Sequence, residues 1–209
     1  MSLKEVIGLE KTYNSTNSLI MPEVNLGSNV EIQNYCYIGC YVSSSKRDTT
    51  YIGDNSLIRA GTYIYEGNKI GKNFQTGNKV NIREHNEIGD NVSIGTHSVI
   101  EHNVKIHNNV RIHSNVFIPE FTVIKDNVWI GPNVVITNAK IPNKTDTKEK
   151  LAGVILEENS TIGANVTLLP GITIGKRSFI GAGSVVTKDT EADQIYIGSP
   201  AKKFIKVDS

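Results

Sequence analysis

His102 stands 18 residues after Glu84 and 18 before Glu120, and Arg83 stands 18 before Glu101. An imidazole flanked by two carboxylates is a candidate general base. One ring nitrogen takes a proton while a carboxylate engages the other N–H and orients the ring. Carboxylate neighbours also favour the imidazolium, so one of them must act as an orienter and not only as a counter-charge. All five histidines, His85, His97, His102, His107 and His113, fall within 29 residues. That crowding raises a metal centre as a rival chemistry. Cys36 and Cys40 are a weak metal signal, because no second pair accompanies them. None of these spacings matters unless the fold brings residues 18 apart into contact.

A six-residue rule supplies that contact. Stepping by six from Ile52 to Ile136 visits 15 positions, of which 14 are isoleucine and the exception is Thr76. A helix or a simple strand needs no such rule; a hexapeptide β-helix does, because each hexad forms one short rung and only stacking closes the core. An earlier block steps through Ile20, Leu26, Ile32 and Ile38, and a later one through Leu156, Ile162, Leu168, Ile174, Ile180 and Val186. An insertion, Ser43 to Asp48, shifts the phase by two between the first blocks. The hexads number 25, which gives about eight coils at three per coil. The expected architecture is all-β: a single domain over 1–209, with a parallel β-helix over 20–190, one long excursion loop at 137–155, and a short C-terminal cap and tail at 191–209. The residue two before each isoleucine is small or β-branched, as at Val80, Ser98 and Val116, and should pack inward. Glycine often follows the isoleucine, as at Gly53 and Gly71, which admits a positive φ at the corner.

Sorted by 18, the three corners differ. The first carries Gly71, Gly89, His107 and Lys125, followed by Lys72, Asp90, Asn108 and Asp126, in ordinary turn patterns, and the second carries Arg59, Gly77, Gly95, His113 and Gly131 and is mixed. The third has no glycine directly after the isoleucine. Its columns run Tyr65–Arg83–Glu101–Pro119–Thr137, then Glu66–Glu84–His102–Glu120–Asn138, then Gly67–His85–Asn103–Phe121–Ala139. The excursion leaves from this corner too, so a site is expected here. The bland alternative is a ladder of surface ion pairs, each contributing ~0–1 kcal/mol. Net charge is +1, which gives no general case for nucleic acid or an anionic membrane. No apolar run approaches the ~20 residues of a membrane span. With no signal-peptide core at Met1 to Glu5 and only two cysteines, the expected location is cytoplasmic.

The chain resembles the left-handed β-helix, hexapeptide-repeat acyltransferases. The residues that carry the likeness are Ile162-Gly163-Ala164-Asn165, the segment from Ile180-Gly181-Ala182-Gly183 to Lys188-Asp189, and Ile197-Gly198-Ser199-Pro200-Ala201-Lys202. The resemblance implies left-handed winding, a homotrimer with active sites between subunits, and acyl-CoA as co-substrate without a metal. Val99-Ile100-Glu101-His102 looks like the catalytic segment of nucleotide-aminosugar N-acyltransferases, among which the anthrose-pathway enzymes are similar in layout. The implied reaction is transfer of an acetyl or 3-hydroxyacyl group to the amine of a dTDP- or UDP-linked aminosugar. His102 would be the base, Glu84 its orienter, and Glu101 a further catalytic or positioning group. Arg83, His85, Glu120, Tyr65 and Asn138 would line the sugar site. Backbone at Gly163, Ala164, Gly181 and Ala182 would hold the pantetheine arm, with Lys188 and Lys202 near the phosphates. In the bacillosamine-pathway relatives a glutamate follows the histidine; here it is Asn103.

Four rivals share the fold. A γ-carbonic-anhydrase-like zinc enzyme pairs histidines five apart, as at His97/His102, but the position 36 before His102 is Glu66 and no histidine completes the set. A sugar O-acetyltransferase places a histidine in the excursion, where this chain reads Thr137-Asn138-Ala139-Lys140-Ile141-Pro142. An amino-acid acyltransferase or a non-catalytic scaffold would keep the same prism.

Overall fold

In a computed structural model, which describes residues 13–14, 17–42 and 47–204, the chain winds as a left-handed parallel β-helix. The chain start, the Ser43 to Lys46 part of the insertion and the tail after Phe204 lie outside the described residues. Three ribbons of short parallel strands form the faces of a prism. Face one carries Leu57–Ile58, Gln75–Thr76, Ser93–Ile94, Arg111–Ile112 and Trp129–Ile130 in its middle. Face two carries Tyr63–Tyr65, Asn81–Ile82, Val99–Ile100, Phe117–Ile118 and Val135–Ile136, and face three Lys69–Ile70, Glu87–Ile88, Lys105–Ile106 and Val123–Ile124.

The register is the predicted 18. Ile82 pairs with Ile100 and Ile100 with Ile118. Rung hydrogen bonds tie each coil to the next, as from Arg83 N–H to Ile100 O at 2.8 Å and from Glu101 N–H to Ile118 O at 2.9 Å. Past the excursion, Val123 pairs with Ile155 and Val135 with Thr167, so the loop leaves and rejoins without disturbing the stack. Between them the chain makes one 3₁₀ turn, Lys148–Lys150.

Two residues per hexad fill the prism: the isoleucine and the residue two before it, all essentially buried along the column. Burying each such branched side chain is worth about 1.5–3 kcal/mol. The exception at Thr76 has a packing reason. Phe74, two before it, is fully buried where other coils carry Val or Ser, so a large and a small residue have exchanged places. The Thr76 hydroxyl accepts from Arg59 N–H at 2.9 Å and lies 3.3 Å from the Thr62 hydroxyl.

The glycine expectation is corrected. Positive φ falls three residues after the isoleucine, at Asn73 (55°), Asn91 (57°) and Asn109 (58°), and not on the glycine that follows it. Those asparagines suit the left-handed region and form a ladder, Asn73 Nδ2 to Asn91 Oδ1 at 2.9 Å and Asn91 Nδ2 to Asn109 Oδ1 at 3.0 Å. The glycine is required by close approach: a Cβ on Gly71 would lie 2.7 Å from the Gly89 carbonyl carbon in the next coil. At the C-terminal end, Ile195–Ile197 extends face one and Lys202–Lys203 folds back on it antiparallel, which closes the described part of the cap. No helix among the described residues is long and apolar enough to cross a membrane.

Candidate active site at the third corner

The turn from face two to face three repeats in every coil with its third residue left-handed: Gly67, His85, Asn103 and Phe121 have φ of 73°, 60°, 57° and 66°. The two residues before it are thereby held in register. Beneath the turn runs a buried asparagine ladder. Asn68 Nδ2 donates to the carbonyls of Tyr65 and Arg83, both at 2.8 Å. Asn68 Oδ1 accepts from Asn86 N–H at 3.0 Å. Asn86 Nδ2 donates to Arg83 O at 2.7 Å, and its Oδ1 accepts from Val104 N–H at 2.7 Å. Both asparagines are fully buried, and full pairing is what makes such burial tolerable. Sequence reading missed them, although the signal existed: they occupy the inward position where neighbouring coils carry Val or Thr.

The column Glu66–Glu84–His102–Glu120–Asn138 stacks as expected, but its contacts differ from expectation. Glu84 does not orient His102. Both its oxygens are taken by Arg83, Nε to Oε2 at 2.9 Å and Nη2 to Oε1 at 3.2 Å. Stacking brings backbones together, yet a long side chain can also turn to its own neighbour, and a forked guanidinium–carboxylate pair is the stronger bond. Burial alone would raise the Glu84 carboxyl; the Arg83 bond, its own backbone N–H and the charges of Arg83 and His102 outweigh it and hold the group below its ordinary value. The third guanidinium nitrogen of Arg83 reaches Glu101 at 3.8 Å, and the Tyr65 ring lies 5.0 Å from its carbon. His85 sits apart from His102, with Nε2 3.9 Å from an Asp48 carboxylate oxygen. Glu66 accepts the backbone N–H of Val42 at 3.0 Å.

The carboxylates at His102 are Glu101 and Glu120. Nδ1 lies 4.0 Å from Glu101 Oε2 and 4.0 Å from Glu120 Oε1. Nδ1 is sealed from solvent and has no hydrogen-bond partner, while the side chain as a whole is 32% exposed. At 4.0 Å neither contact is a hydrogen bond. Phe121 stands edge-on to the ring, centroids 6.3 Å apart. Asn138 Nδ2 donates to Glu120 Oε2 at 2.7 Å, and Ala152 N–H donates to Asn138 O at 2.8 Å, so both ends of the excursion brace Glu120. Glu101, His102 and Glu120 are also the group among the described residues whose ligand atoms lie close enough, within 4.8 Å, to share a cation. That group holds one imidazole; His97 and His113 sit at the second corner and His107 at the first. A hollow of about 620 Å³ lies around the turn between His85, Asp48, Lys69 and Glu87, and its walls do not include His102.

The residues expected to hold acyl-CoA are elsewhere. Gly163, Ala164, Gly181 and Ala182 lie on the second corner, between faces one and two, near the C-terminal end. A Cβ on Gly163 would meet Ala182 N at 2.6 Å. Lys188 and Lys202 are exposed.

Comparison with known proteins agrees with this architecture. Residues 87–120 and 153–188 match the family described as bacterial transferase hexapeptide (six repeats). The two matched segments carry that repeat, and the chain as described has the left-handed β-helix fold. A galactoside O-acetyltransferase of Lactococcus lactis is 46% identical over 74 residues, which are 34% of this chain and 36% of that protein. The chain thus spans little more than a third of that curated relative. Among solved structures, LpxA from Acinetobacter baumannii superposes with a TM-score of 0.56 at 19% identity, over 92% of this chain and 71% of that one. AntD, an N-acyltransferase from Bacillus cereus solved with dTDP-4-amino-4,6-dideoxyglucose and coenzyme A, gives 0.58 at 24% identity, over 65% and 81%. At these identities the likeness is one of fold.

Proposed function

We propose that this chain is an acyl-CoA-dependent N-acyltransferase acting on the amine of a nucleotide-linked aminosugar. The observation that carries the reading is His102: a sealed, unpartnered Nδ1 facing two carboxylates on a corner beside a loop. An acceptor amine arrives as an ammonium, which Glu101 and Glu120 attract. His102 removes a proton from the nitrogen, directly or through water, and the freed lone pair attacks the thioester carbonyl carbon. The C–N bond forms, the C–S bond breaks, and the CoA thiolate leaves and takes up the second proton, which the acylated nitrogen sheds. As His102 becomes cationic, Glu101 or Glu120 closes on Nδ1–H, a contact that shortens only in the loaded state. Arg83, held by Glu84 and Tyr65, positions Glu101 and the sugar.

Face two supports a homotrimer. Its outward column runs Leu19, Tyr37, Tyr63, Asn81, Val99, Phe117, Val135, with Leu19, Tyr63, Phe117 and Val135 exposed, whereas on face three Lys69, Glu87 and Lys105 separate the exposed Tyr51 from Ile155. An apolar stripe of this kind marks an interface. The test is acetyl transfer from acetyl-CoA to a panel of dTDP- and UDP-aminosugars, with His102→Ala lowering kcat by ~10²–10⁴. Normal turnover with an unchanged pH profile in that variant would remove His102 from the role. The identity to a galactoside O-acetyltransferase favours a second reading, O-acetylation. It wins if the hydroxyl sugar lacking the amine is acetylated as well as the aminosugar.

A further inference from the structure

The chain has five arginines. Arg83 and Arg177 grip carboxylates. Arg59 and Arg111 do not: among the described residues neither has an ion-pair partner. Arg59 Nη1 donates to the Thr76 carbonyl at 2.6 Å, and Arg111 Nη1 reaches the Ser93 hydroxyl at 3.3 Å. Both line one cleft of roughly 430 Å³ on the second corner, and no carboxylate lines it. The repeat explains its shape. The corner column reads Arg59, Gly77, Gly95, His113, so two residues without side chains form a floor between basic walls. The hydroxyls of Ser93 and Thr96 face the same space. His113 lines the far end, and its ring lies against the half-exposed Trp129 just beyond the lining, centroids 4.7 Å apart. Burial, and then the charge of Arg111, push the His113 imidazole below its ordinary value. Arg111 is exposed and Arg59 half-buried, so an anion can reach both guanidiniums.

We propose that this cleft binds the phosphate groups of a nucleotide ligand, with Arg59 and Arg111 as the phosphate forks and the His113–Trp129 pair as a stacking wall. Forked guanidiniums match phosphate oxygens, hydroxyls add donors, and an indole offers a face to a base. Its volume falls in the range of small-molecule sites. Two ligands share this chemistry, the diphosphate of a nucleotide sugar and that of CoA. Assigning either one rests on the acyl-transfer reading; the anion site itself does not. In the trimer proposed above, face two packs inward in a ring, and a ring joins unlike edges. The cleft on one edge of face two then approaches the third corner, on the other edge, of the next copy.

The experiment is calorimetric titration of the full chain with inorganic pyrophosphate, dTDP, UDP and CoA. The proteins are the wild type, Arg111→Gln and the double variant Arg59→Gln/Arg111→Gln. Arg111→Gln keeps the proposal testable if the double variant fails to fold, since the Arg111 guanidinium bonds only the Ser93 hydroxyl. Binding of pyrophosphate and of at least one nucleotide should weaken about tenfold or more in Arg111→Gln. Weakened dTDP or UDP assigns the cleft to the nucleotide sugar, and weakened CoA assigns it to the thioester. Unchanged affinities in a folded Arg111→Gln, or no binding by the wild type, would overturn the proposal. Arginine-dependent binding without acyl transfer to any acceptor would sink the acyl-transfer reading and leave the cleft standing. Co-refolding His102→Ala chains with the double variant should restore activity that neither has alone. No restoration would break the link between the cleft and the third corner.

Discussion

Replacing Asn86 by valine removes two side-chain hydrogen bonds without opening a hole. Val104 fills the equivalent inward position in the next coil and is fully buried, so the prism accepts that shape there. The Arg83 carbonyl loses Asn86 Nδ2 but keeps Asn68 Nδ2 at 2.8 Å. Val104 N–H loses its acceptor outright. An unsatisfied buried donor costs about 1–3 kcal/mol, and that is the expected loss for Asn86→Val. Asn86→Ala adds an unfilled volume and should cost about 1 kcal/mol more. Urea unfolding at one fixed protein concentration measures both, since assembly makes stability concentration-dependent. Amide exchange localises the effect: the Val104 amide should lose protection while that of Ile118, one coil on, keeps it. Turnover should fall as well, because the Arg83 carbonyl keeps only one of its two side-chain donors and the Arg83 guanidinium holds Glu84 and Glu101. A stability change below about 0.5 kcal/mol with Val104 still protected would refute the reasoning, because another acceptor would have to be reaching that amide.

Three further outcomes follow from the same geometry. The Glu84 carboxyl is held low in the folded state, so its contribution to stability is present above the ordinary carboxyl value of 4.5 and fades as pH falls below it. The stability gap between wild type and Glu84→Gln, followed by thermal melts, should therefore shrink on acidification; a gap constant with pH would contradict the pairing with Arg83. Burial pushes the Cys40 thiol up to about 12 and the Cys36 thiol up as well, so the native protein should show no thiol reacting with Ellman's reagent at neutral pH and two after unfolding. Phe74→Val should cost about 2–4 kcal/mol alone, and Thr76→Ile in the same chain should recover much of it. Additive losses in that double-mutant cycle would disprove the size exchange.

The isoleucine column made the stack, the register of 18 and the excursion legible, because each needs only the rule that one branched residue per hexad points inward. What it could not show is where a long side chain turns. Glu84 and His102 occupy stacked positions, yet Glu84 swings to Arg83 in its own coil. Position is set by the backbone repeat; pairing is set by competition among reachable partners. The glycines were legible as necessary but for the wrong reason, since a sequence does not show that the following coil's backbone would lie under 3 Å from a Cβ. Asn68 and Asn86 were readable as polar residues in an apolar column. Their partners were not, because backbone carbonyls leave no trace in the sequence. The basic cleft was hidden for a related reason: Arg59 and Arg111 come from different columns and line one space only because two glycines clear it.

The column through His102 says why a ligand is expected there and not at neighbouring coils. Stacked side chains sit about 4.8 Å apart, and two like charges 5 Å apart at an effective dielectric of 20 repel by about 3 kcal/mol. Each carboxylate in this column therefore has a private partner. Glu66 takes backbone N–H groups of Val42 and Asp48, Glu84 takes Arg83, and Glu120 takes Asn138. Among the described residues of the column only His102 has a sealed nitrogen with nothing to bond. Natural structures rarely leave such an atom unpaired. A purely structural ladder would have closed this gap, as the other rungs do, by drawing Glu101 or Glu120 1 Å nearer. Glu120 is instead held back by Asn138, and Glu101 faces Arg83 at 3.8 Å. In the reaction proposed above, this bracing would keep His102 short of its hydrogen bond until the ammonium or the transferred proton draws a carboxylate in, as a base that starts neutral and ends charged requires.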